Sequence, residues 1–70
     1  MWIFDENEDL INLNHVTHVY AERNENTVDV TCDIGNSYWT IKSFKGQHAL
    51  MNAREFIKKL GSVIEVKEII

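Results

Sequence analysis

Seventy residues with eleven acidic side chains against seven basic ones, net charge −4, make one domain that buries only about 60% of its unfolded surface and has little stability to spare. The negative charge opposes nucleic acid, whose affinity comes largely from neutralised phosphates, so nucleic acid is not an expected partner. The single Cys32 excludes an internal disulfide, and the absence of a glycosylation triplet, an apolar leader or a membrane-length apolar run leads us to expect a cytoplasmic protein with no membrane partner.

In chain order, Trp2-Ile3-Phe4 reads as a short strand and Leu10-Ile11-Asn12-Leu13 as a second. Asp5 to Asp9 is too charged and turn-prone to be anything but a solvated loop between them. Pairing across that loop sets Phe4 opposite Leu10 and Ile3 opposite Ile11. Ile3, Ile11 and Leu13 then share one face, and Trp2, Phe4 and Leu10 the other. A hairpin that is apolar on both faces is either buried twice or meets a partner. Asn14-His15 breaks the phase and implies a bend, after which Val16 to Arg23 alternates as a half-buried strand. Asn24 to Asn26 is the next turn.

Thr27 to Ile34 and Ser37 to Phe44 flank Gly35-Asn36, a dipeptide suited to a two-residue hairpin turn. That register pairs Val30 with Ile41 and Cys32 with Trp39 on one face. It pairs Asp29 with Lys42, Thr31 with Thr40 and Asp33 with Tyr38 on the other. From Gly46 to Leu60 the apolar positions Ala49, Leu50, Ala53, Phe56, Ile57 and Leu60 form one helical stripe, with Gly61 as the expected cap. Phe56 is expected between helix and sheet, near Trp39 and Ile41. The alternation from Ser62 to Ile70 predicts a closing strand. The expected fold is α+β: an antiparallel sheet of four to five strands with one amphipathic helix on one face, in the order ββββαβ.

No catalytic constellation emerges. His15, His18, Cys32, Asp33 and His48 carry ligand atoms for zinc, but residues three apart on a strand point to opposite faces and no C-x-x-C is present. Cys32 falls mid-strand on the core face, far from any group that would lower its pKa. The acids at Asp5, Glu6, Glu8 and Asp9 lack the glycine and distal glutamate of an EF-hand. With three glycines in the chain there is no phosphate-cradling loop. We expect no catalytic residue, cofactor or metal, and no enzyme. Trp2, Tyr20, Tyr38 and Phe44 remain as aromatics that face water, which suits a protein–protein surface.

The run Ile11-Asn12-Leu13-Asn14-His15-Val16 through Thr27-Val28-Asp29-Val30 and on into a C-terminal helix resembles the small FlbD-like flagellar proteins of bacteria. The stretch Leu13 to Leu60, with Val19-Tyr20-Ala21-Glu22 as a strand end, is similar in outline to the first half of LytTR-type DNA-binding domains. The first resemblance implies a small bacterial accessory protein and the second a regulator; neither carries over a functional residue. The expectation is a non-enzymatic interaction module of bacterial or phage type, a homodimer or a binder of another protein, acting through Trp2, Phe4 and Leu10. The alternative is a small transcriptional or nucleic-acid-associated regulator.

Overall fold

The computed structural model describes residues 1–64. Five strands precede one helix: β1 (Trp2–Phe4), β2 (Leu10–Asn12), a 3-10 turn (Leu13–His15), β3 (Val16–Arg23), β4 (Thr27–Ile34), β5 (Ser37–Lys45) and α1 (Ala49–Val63). The chain is α+β as expected, but the strands do not join into one sheet of four to five. β1 and β2 form a two-stranded ribbon, and β3, β4 and β5 a separate antiparallel sheet in that order. The bend foreseen at Asn14-His15 is the 3-10 turn. It takes Leu13 out of β2, and a bulge follows between Val16 and His18.

Period-two alternation along β4 sends Val28, Val30 and Cys32 to one face, where they are buried and form a core with Ile11, Ile41, Ala49 and Ala53. Fully buried aliphatic side chains of this kind contribute about 1.5–3 kcal/mol each. The small Ala49 and Ala53 let the helix approach closely, while Leu50, Phe56, Ile57 and Leu60 pack half-buried around them. The helical stripe is therefore the expected one, with Met51 exposed, but the helix is displaced along the chain. Gly46 turns at φ +91 and the helix starts only at Ala49. It then runs through Gly61 instead of stopping there. The Ser62 hydroxyl donates to the Lys58 carbonyl (3.1 Å) and the Ile64 N–H to the Leu60 carbonyl (3.2 Å). Ser62 and Val63 are thus helical, not the beginning of a strand; the rest of that expected strand, 65–70, lies outside the described residues.

The β4–β5 hairpin corrects the expected register. Gly35 takes φ +59, as a turn with glycine at its first central position requires. Ile34–Ser37, Asp33–Tyr38, Cys32–Trp39 and Thr31–Thr40 pair as expected. Between Val30 and Thr31 the register then shifts: Val30 faces Lys42, Asp29 faces Ser43 and Val28 faces Phe44. Ile41 is the extra residue. Asp29 and Lys42 are not partners, and their cross-strand charge pair does not form. The reason lies in Phe44. An unshifted ladder would set it opposite Thr27, on the face of Asp29 and Thr31, because a one-residue slip exchanges the two faces. The bulge brings Phe44 to the face of Val28, where it meets Phe56 edge to face at 6.0 Å between ring centres. Phe44 is therefore half-buried rather than a surface aromatic, and it, not Trp39, is the aromatic partner of Phe56.

Candidate functional site

The two-stranded ribbon leaves three large apolar side chains unused by the core. Trp2 pairs with Asn12, Ile3 with Ile11 and Phe4 with Leu10. Alternation sends Ile3 and Ile11 inward, where Ile11 is buried and Ile3 packs on the core. It leaves Trp2, Phe4 and Leu10 with 61%, 68% and 58% of their surfaces exposed. Trp2 and Phe4 are two residues apart, and Leu10 stands directly across from Phe4, so the three lie on one face of the ribbon. That is the arrangement expected from the sequence, and Trp2 is not tucked into the core.

The loop carrying this ribbon is more ordered than its composition suggests. Asp5, read from the sequence as part of a solvated turn, is 5% exposed. One carboxylate oxygen accepts the backbone N–H groups of Asn7 (2.8 Å) and Asp9 (2.9 Å), and the other accepts the indole N–H of Trp39 at 2.7 Å. Glu8 takes φ +65 to close the turn. The Glu6 N–H donates to the carbonyl of Ile41 (2.9 Å), and the Glu6 carboxylate accepts the Ser43 N–H (3.1 Å). These contacts fasten the loop to β5 around the bulge. They also occupy groups of an edge strand that would otherwise invite pairing. The Trp39 hydrogen bond holds the Asp5 carboxyl below the usual aspartate range, opposed by its burial and helped by the N–H groups of Asp9 and Asn7. Trp39 keeps 45% of its surface exposed, so it spans the junction between ribbon and sheet instead of filling the core. The sequence did hold a sign of this: an aspartate two residues before Asn7 at a strand end forms an Asx-turn.

The other chemistry-bearing residues are dispersed. His15 lies in the 3-10 turn and His48 caps the helix without a side-chain capping bond. His18 stands on the far face of the three-stranded sheet, its ring centre 4.7 Å from that of Tyr20 and its Nδ1 3.5 Å from Asp33. The Tyr20 hydroxyl donates to the same carboxylate at 3.2 Å. Burial, then the charge of Asp33, raises the Tyr20 pKa. Cys32 is fully buried, and that burial, with Asp33 adding, pushes its thiol up and away from the thiolate a nucleophile needs. Among the described residues no three His, Cys, Asp or Glu side chains converge in a way that could hold a metal ion. No helix among them is long and apolar enough to cross a membrane.

Comparison with protein-family models, with curated proteins and with solved structures returned no match.

Proposed function

We propose that this protein is a small non-enzymatic interaction module, an accessory protein of bacterial or phage type, that pairs with a second copy of itself through Trp2, Phe4 and Leu10. The carrying observation is the exposure of these three residues on one face of a ribbon whose other face is core. Contiguous apolar surface of this kind marks an interface more often than free surface, and aromatic residues are enriched at interface centres. A patch carried on one face of a two-stranded ribbon suits a two-fold contact, in which the same patch serves both copies. With the ribbons antiparallel, the acidic loops 5–9 of the two copies fall at opposite ends, so their like charges separate. Light scattering on the eluting protein tests this. The wild-type chain elutes as a dimer, and Trp2→Lys with Phe4→Lys gives a folded monomer. A wild-type monomer at every concentration contradicts the reading, as does a double variant that still dimerises.

The alternative, a small transcriptional or nucleic-acid-associated regulator, draws support from the far face of the sheet, which Tyr38, 71% exposed, shares by register with Tyr20 and His18 across Asp33. Aromatic side chains on a sheet can stack bases. Glu22, Asp29 and Asp33 share that face by register and repel a phosphate backbone, which ranks this reading second. Duplex DNA binding that collapses as salt rises would reverse the order.

A further inference from the structure

The three-stranded sheet has a second face. The helix and the inner side of the ribbon pack with Val28, Val30 and Cys32, and alternation along the strands sends the intervening residues the other way. Cross-strand pairing sets these in rows. Tyr38, Asp33 and His18 form the end row, Tyr20 belongs to the next, and Asp29 and Glu22 to the third. The three rows hold three carboxylates and two phenol rings, with neither lysine nor arginine among them. Lys45 enters only one row further on, opposite Thr27. The charge that repels a phosphate backbone here draws a cation. The end row is open to it: Tyr38 is largely exposed, and the side chains of His18 and Asp33 keep 64% and 39% of their surfaces.

Asp33 is held in position by its neighbours. The Tyr20 hydroxyl donates to its Oδ1 at 3.2 Å, and His18 Nδ1 stands 3.5 Å from its Oδ2. Each carboxylate oxygen can accept more than one hydrogen bond, so both keep capacity for a ligand. Residues directly opposite on adjacent strands have Cβ atoms about 4.5–5.5 Å apart. A planar group lying on the Tyr38 ring therefore has its edge within reach of the Asp33 carboxylate. The guanidinium of arginine is such a group: it is a flat cation that stacks on aromatic faces and forks two N–H groups onto a carboxylate. We propose that this row takes an arginine side chain of a partner polypeptide, stacked on Tyr38 and hydrogen-bonded to Asp33. The third row lies four residues along β3, about 13 Å away, so a second basic residue four positions along an extended segment would meet Glu22 and Asp29. A strand of nucleic acid is the less favoured occupant, because its phosphates would face the same three carboxylates.

The test is an NMR titration of the full 70-residue chain, at physiological salt, with a short peptide bearing arginine at both ends and serine and glycine between. Amide and aromatic shifts should centre on Tyr38, Asp33 and Tyr20. The same peptide with lysine in place of arginine should bind about tenfold more weakly, since it carries equal charge but neither stacks flat nor forks. Asp33→Asn and Tyr38→Ala should each weaken the arginine peptide by about tenfold, because each removes one of the two contacts. Tyr38 is exposed, and asparagine keeps an acceptor for the Tyr20 hydroxyl, so both variants stay folded. Equal affinity for the two peptides overturns the proposal. So do shifts spread evenly over the acids of loop 5–9, and an affinity that either variant leaves unchanged. Single-stranded oligothymidine that shifts the same residues while the arginine peptide does not also overturns it, in favour of nucleic acid. The Trp2→Lys, Phe4→Lys variant should bind the arginine peptide as the wild type does, so this row and the ribbon interface stand or fall separately.

Discussion

The β1–β2 and β4–β5 hairpins show two ways of holding a pair of strands together. β4 and β5 are eight and nine residues long, meet at a two-residue turn and sit over the core, so ladder and burial suffice. β1 and β2 have three residues each, too few to persist as an isolated ribbon in water. They are held by Ile3 and Ile11 beneath and by the Asp5 and Glu6 side chains, which fasten their loop to β5. The long hairpin stores its information in alternation and the short one in specific polar contacts. The two meet at Ile41, whose bulge reorients Phe44 toward the helix and whose carbonyl accepts from Glu6.

Breaking that shared point should produce the largest effect. Ile41 is 1% exposed, and Ile41→Ala should cost about 2–5 kcal/mol in denaturant unfolding, the range for large-to-small core changes. Both hairpins should loosen together, seen as faster amide exchange at Glu6 as well as across β5. Phe56→Ala touches the long hairpin alone. Because Phe56 is only half-buried, its cost should be about 2 kcal/mol, roughly half that of a fully buried phenylalanine, and the Asp5 loop should keep its order.

Asp5→Asn touches the short hairpin. It should blue- or red-shift the Trp39 emission and speed exchange at the Asn7 and Asp9 amides, with β4 unaffected. A pH series sharpens the point. The folded-state pKa of Asp5 is depressed, so its stabilisation is fully present above the unfolded-state value and is lost as pH falls through the folded one. Asp5→Asn should therefore flatten the acid side of the profile of melting temperature against pH. The smallest effect belongs to Lys42→Ala. With Asp29 facing Ser43, no ion pair is lost; the substitution removes only the Lys42 ammonium that lies over the Phe44 ring, 5.6 Å from its centre, and stability should move by no more than about 1 kcal/mol. A larger loss would mean that the unshifted register is populated.

What could be read in the sequence follows the same division. The Gly35-Asn36 turn, the helical stripe and the inward–outward split of Ile3 and Ile11 against Trp2, Phe4 and Leu10 all arise from periodicity and turn chemistry, which single residues announce. The bulge was harder to see. Ile41 and Phe44 are three apart, out of phase for a regular strand, while the apparent Asp29–Lys42 pair favours the unshifted ladder. The helix limits differ from the expected ones because Gly61 can end a helix, yet here its neighbours continue the hydrogen bonding past it. Division into two sheets escaped the sequence because it depends on the 3-10 turn at Leu13–His15. Asp5 escaped because its role is set by Trp39, thirty-four positions away.

The proposed dimer sets one face of the ribbon in the core and its other face against a second copy of the chain. A mixed sample of isotope-labelled and unlabelled protein, read for nuclear Overhauser contacts between copies, tests this most directly. The account predicts intermolecular contacts at Trp2, Phe4 and Leu10, with none at Ile3 or Ile11. Intermolecular contacts confined to Tyr20 and Tyr38, or none at all at concentrations where light scattering reads a dimer, would contradict it.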